Sequence, residues 1–107
     1  MKKGDVVLVS FPFTDFAGNK NRPALVLIES ESDITVCFIT TQIHWETEFD
    51  IVVSPSKQNG LKKESLIRLS KFATVDKDIV LGLLGRLEKK YIIALNQNLM
   101  SVLQLRG

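Results

Sequence analysis

Two short apolar runs, Asp5 to Ser10 and Pro23 to Glu29, stand either side of a polar loop rich in turn formers, Thr14 to Asn21. Both runs are dense in valine, leucine and isoleucine, and turn signals bound them, which predicts strands. Pro23 sharpens the constraint. It fixes its own φ and pushes Arg22 towards an extended backbone, so the guanidinium is expected to project from a rigid strand mouth. A permanently charged, planar fork of donors suits a phosphate or a carboxylate. A solvated loop arginine is the plain alternative.

The strand signal continues downstream. Glu29-Ser30-Glu31-Ser32-Asp33 reads as a charged turn into a third strand, Ile34 to Thr40. Gln42 to Glu48 is less regular. Asp50 to Val53 reads as a short strand stopped by Ser54-Pro55, and Asn59-Gly60 as a turn that tolerates φ > 0. Two further strands are expected, Ser65 to Ser70 and Phe72 to Val75, then a polar turn at Asp76-Lys77-Asp78. Val80 to Arg86 fits helix or strand, with Gly82 and Gly85 weakening either. The last segment is clearer. Ile92, Leu95, Leu99, Val102 and Leu103 recur at spacings of three and four, the stripe of an amphipathic helix. Many short strands and one terminal helix point to a mainly β fold, a small barrel whose open end the helix covers. With no repeats or linkers, residues 1–107 are expected to form a single domain.

Composition excludes several classes. With 45% hydrophobic and 24% charged residues the chain has the balance of a globular protein rather than a disordered one. Its one cysteine, Cys37, cannot form an internal disulfide, and in the run Val36-Cys37-Phe38-Ile39 it reads as a small buried hydrophobe. His44 is the only histidine, so no metal-ligand set is evident and neither metal nor other cofactor is expected. Lys2-Lys3 before an apolar stretch is not expected to be a secretion signal, because Gly4-Asp5 and Pro12 interrupt it. No run reaches the ~18 apolar residues of a membrane span. A cytoplasmic location is the expectation. The net charge of +2 says little about nucleic acid by itself.

Four ordered segments carry a family resemblance: Gly4-Asp5 with its following strand, Arg22-Pro23-Ala24-Leu25-Val26, Ile39-Thr40-Thr41-Gln42-Ile43, and Ser65-Leu66-Ile67-Arg68 followed by Ala73-Thr74-Val75-Asp76. From Gly4 to Leu105 the chain resembles the MazF/PemK toxins of type II toxin–antitoxin systems. The resemblance implies an SH3-like barrel with an added helix, assembled as a homodimer, and favours a strand for Val80 to Arg86. It also implies metal-independent cleavage of single-stranded RNA, with a small acidic antitoxin as the inhibitory partner. In such a reaction the substrate's own 2′-hydroxyl attacks, so the protein must help move protons and stabilise charge on the phosphoryl oxygens.

Site residues follow from the same resemblance, position by position. Arg22 matches the catalytic Arg-Pro arginine, whose physical role is charge stabilisation rather than proton abstraction. Thr40 matches a threonine that contacts the scissile phosphate, and Arg68 an arginine that some members use in catalysis. The chain departs elsewhere. Phe16 and Ala17 stand where some members have a histidine and an acidic residue, and Ser70 and Lys71 where an acidic residue or its polar partner lies. Ser70 is taken as the fourth catalytic candidate. The loop Asn19-Lys20-Asn21-Arg22, with Gln42 and Lys71, is a candidate to track phosphates, and Phe11, Phe13, Phe16 and Trp45 to stack bases, with core or dimer-interface packing as the alternative for each aromatic and the favoured one for Phe11 and Phe13. A protein of the same fold that binds nucleic acid or a partner without cleaving it is the alternative function.

Overall fold

A computed structural model of the protein describes residues 1–12 and 19–105, and only the backbone of Pro12 and Asn19. Among the described residues, six strands form one antiparallel sheet: β1 (Asp5–Pro12), β2 (Asn19–Glu29), β3 (Asp33–Thr40), β4 (Ile51–Val53), β5 (Ser65–Asp76) and β6 (Val80–Arg86). The spatial order is β4-β5-β3-β2-β1-β6, and the sheet is not closed into a hydrogen-bonded ring. One helix, α1 (Lys89–Val102), follows. The fold is therefore mainly β with a C-terminal helix.

Strand alternation explains why the sheet buries both faces. Val6, Leu25, Cys37 and Ile39 point into one cluster, which α1 covers through Leu95 and the partly buried Ile92, Leu99 and Val102. Their neighbours Val7, Val9, Ala24, Val26 and Val36 point the other way, into a second cluster with Ala73, Val75 and Val80. That second cluster draws on the distal half of β5 and the start of β6, so the curled sheet supplies its own cover. Leu103 lies outside the helical stripe. It caps the helix, its N–H donating to the Leu99 carbonyl, and its side chain is exposed.

The segment expected as two strands is the single strand β5. Cys37 pairs with Phe72 while the next residue, Phe38, pairs with Arg68, so Leu69, Ser70 and Lys71 form a bulge. The polar pair that breaks the alternation bends the strand without taking it out of the sheet. Here β5 turns a corner: Ile67 and Leu69 join the first cluster, Ala73 and Val75 the second.

β2 begins at Asn19, earlier than Pro23. Arg22 thus lies within the strand, opposite Val9, rather than at a loop–strand junction. Pairing of β2 with β3 starts only at Ala24, so Pro23 stands where a missing ladder donor costs least. The two glycines that weakened the reading of β6 differ in role. A Cβ at Gly82 would meet nothing, whereas one at Gly85 would run into the backbone of Gln58 and Asn59. This close approach lets the Arg86 N–H donate to the Gln58 carbonyl at 2.7 Å, and Gly60, at φ +72°, supplies the turn.

Candidate nucleic-acid interface

Where β2 leaves the ladder with β3, two adjacent hollows open on the sheet. The first, about 340 Å³, is lined by Lys20, Asn21, Arg22, Pro23, Ile39, Thr40 and Thr41. The second, about 310 Å³, is lined by Arg22, Phe38, Ile39, Thr40, Trp45, Arg68 and Lys71. Arg22, Ile39 and Thr40 are common to both, and of these Arg22 and Thr40 carry polar side chains. Four cationic side chains thus line the pair, and no Asp, Glu or His does so among the described residues.

Each member is delivered by a strand or by a turn tied to one. Thr40 ends β3 and is buried; its Oγ1 accepts the Gln42 N–H at 3.1 Å. That bond uses an Oγ1 lone pair and leaves the hydroxyl proton available to donate to an anion. Arg68 is placed by its pairing with Phe38 at the edge of the bulge, and its guanidinium lies 5.5 Å from the centre of the Trp45 indole. Trp45 ends a short 3-10 turn, Ile43–Trp45, in the segment expected to be irregular.

The bulge itself is held by Asp50. This buried carboxylate accepts the Leu69 N–H at 3.0 Å on Oδ1, and the N–H and hydroxyl of Thr47 at 2.9 Å on Oδ2. It therefore ties the Trp45 segment to the strand that carries Arg68 and Lys71. Charge-assisted bonds of this kind are the strong ones.

The structure brings together Arg22, Thr40, Arg68, Lys20 and Lys71. Ser70 is exposed in the bulge and is not among the residues lining either hollow. Gln42 contributes its backbone to Thr40, and its exposed side chain lines neither hollow. Phe16, Ala17 and Phe13 lie outside the described residues, as does the side chain of Asn19. Phe11 is core, tilted against Phe38 with ring centres 4.7 Å apart. His44 is exposed, edge-on to Trp45. Cys37 is fully buried, and burial, aided by the Asp50 carboxylate, pushes its thiol up to about 12, so it is no nucleophile at neutral pH. Asp50 and Thr41 were not legible as site residues, whereas Asn21, from the loop expected to track phosphates, lines the first hollow. A lone carboxylate heading a β-branched run is the only trace that Asp50 leaves in the sequence.

Among the described residues, no group of three or more His, Cys, Asp or Glu side chains is placed to hold a metal ion. Nor is any helix of the described residues long and apolar enough to cross a membrane.

Residues 2–103 match the family described as the PemK-like, MazF-like toxin of type II toxin–antitoxin systems. Among curated proteins none matches. Several solved structures share the fold. The Mycobacterium tuberculosis toxin MazF-mt6 is 19% identical, with a TM-score of 0.77 over 96% of this chain and 99% of that one. An endoribonuclease in complex with its cognate antitoxin, from a mycobacterial species, is 18% identical, with a TM-score of 0.74 over 100% of this chain and 98% of that one. The MazE–MazF structure from Deinococcus radiodurans is 21% identical, with a TM-score of 0.69 over 97% and 96%.

Proposed function

The chain belongs to the PemK-like, MazF-like toxins of type II toxin–antitoxin systems, a family of endoribonucleases, and from that premise we propose that it cleaves single-stranded RNA without a metal ion. The observation that carries this reading is the convergence of Lys20, Arg22, Arg68 and Lys71 on two hollows that share Arg22 and Thr40. A phosphodiester seated at the shared wall meets a planar cation from Arg22 and a hydroxyl proton from Thr40. Both interactions strengthen as charge builds on the phosphoryl oxygens, which is the condition for lowering the barrier rather than merely binding. The substrate's 2′-hydroxyl is the nucleophile, giving a cyclic phosphate and a 5′-hydroxyl end.

On this reading the protein acts in the cytoplasm as a homodimer, and a small acidic antitoxin inhibits it by laying carboxylates against the same cations. A second reading, a binding protein of the same fold without activity, draws on one fact. No His, Asp or Glu among the described residues lines either hollow to carry protons.

Incubating pure protein with long single-stranded RNA in EDTA, then mapping the ends, separates the two. Discrete cuts with 5′-hydroxyl ends are expected. RNA left intact after prolonged incubation, when a control ribonuclease cuts it, would select the binding protein.

A further inference from the structure

We infer that Trp45 and Arg68 form a nucleobase subsite beside the phosphate position, a proposal that rests on RNA being the substrate. Trp45 is the only tryptophan in the chain, and it is 48% exposed on a turn outside both core clusters. Its neighbours are Arg68 and His44 rather than core side chains, so part of the ring stays open to a ligand. Its ring is buttressed by the Arg68 guanidinium at 5.5 Å, and Arg68 makes no ion pair among the described residues. The same hollow holds Thr40 and Arg22, so a base stacked on the indole would belong to a nucleotide next to the bound phosphate. Lys71, exposed on the bulge, flanks the hollow and suits the next phosphate along the strand.

Alternating cation and aromatic surfaces are what single-stranded nucleic acid binds: charge follows the backbone, and the ring takes a base face of any identity. A double helix would keep its bases stacked inside and leave the indole uncovered. The subsite therefore selects for unpaired RNA and fixes the register of the chain at Arg22. Asp50 holds this geometry by anchoring both the Thr47 turn and Leu69.

The lone indole reports on its own occupancy. A 2′-O-methyl oligoribonucleotide, which lacks the attacking hydroxyl, is titrated into wild type, Trp45→Phe and Trp45→Ala while binding is followed by anisotropy and, in wild type, by tryptophan fluorescence. The expected result is a fluorescence change in wild type, affinity about tenfold weaker for Trp45→Ala, and most affinity kept in Trp45→Phe. An abasic oligomer of equal length and poly-glutamate should leave the fluorescence unchanged. Equal affinity for wild type and Trp45→Ala with a silent indole overturns the subsite and leaves the ribonuclease reading standing. So does an equal response to poly-glutamate, which would mark the indole as a protein-docking residue. A responsive indole with the matching unmethylated RNA left uncut overturns cleavage but not the subsite. No binding of any oligonucleotide overturns both.

Discussion

Arg22 is the residue on which the proposed site turns. Its neighbour Pro23 fixes the backbone, Val9 faces it across the β1–β2 ladder, and two hollows meet at its side chain. Replacing it with alanine should lower cleavage by on the order of 10²–10³, the usual loss for one charge-stabilising donor. Arg22→Lys should recover little, because an ammonium cannot present a planar fork to two phosphoryl oxygens. Circular dichroism should match wild type in both, and cleavage undiminished in Arg22→Ala would remove the residue from the reaction. At this scale the sequence was informative wherever a local rule applied. The apolar run located Cys37 inside, and Asn59-Gly60 located a turn at positive φ, whereas Arg-Pro set Arg22 at a strand mouth and the structure sets it within β2. The sequence was silent wherever position depends on a distant partner. Nothing near Trp45 in the chain says that Arg68 will lie over its ring, and nothing near Asp50 says that Leu69 will donate to it.

Among the elements, β5 contributes most to the proposed site, because its bulge region brings Arg68 and Lys71 to one hollow. Sequence alternation marks the ends of such a strand well and its middle badly, since an inserted polar stretch looks the same as a turn. Asp50→Ala should leave the Leu69 and Thr47 donors without their carboxylate, at a cost of about 3 kcal/mol. Urea denaturation should show a lower midpoint with unchanged slope, and cleavage should fall with it as the bulge loosens. Full stability in Asp50→Ala would show that the bulge is held otherwise. A second anchor joins the 54–61 loop to the helix. Burial of the Glu88 carboxyl tends to raise its pKa, but hydrogen bonds, from Ser56 Oγ at 2.8 Å and Asn59 Nδ2 at 3.0 Å among them, outweigh that and hold it below the ordinary 4.5. A group depressed on folding stabilises above its unfolded pKa and loses that contribution as pH falls through the folded value. Wild type should therefore lose stability below about pH 4.5 more steeply than Glu88→Gln, as read from denaturation midpoints between pH 6 and 3. Parallel curves would assign the acid sensitivity to other carboxylates.

At the scale of the whole molecule, the charge is local rather than global. A net charge of +2 spread over 107 residues gives no strong field, yet four cations collect at one place. RNA affinity should accordingly fall with salt only gently, with a log–log slope no steeper than about −3 per site, from roughly 0.7 for each phosphate neutralised on a single strand. A much steeper slope would mean that further lysines, such as Lys62 and Lys63, line the path. The apolar surface is also uneven. β6 is an edge strand whose Leu81, Leu83 and Leu84 are exposed, Leu83 by 65%, and beside it lies a hollow of about 420 Å³ lined by Leu8, Leu61 and Leu84 among others. A bare edge rich in leucine invites uncontrolled pairing unless another surface covers it. The covering surface we expect is a second copy of the chain, with β6 in a two-fold interface where each Leu83 meets the partner's apolar edge. Sedimentation at micromolar concentration should then give a dimer for wild type and a monomer for Leu83→Lys, whose charge cannot be buried there without a partner. Because Leu83 is exposed in the single chain, the substitution should leave the circular dichroism spectrum intact. A wild-type monomer at every concentration would rule out the homodimer, and a Leu83→Lys dimer as stable as wild type would move the interface away from β6.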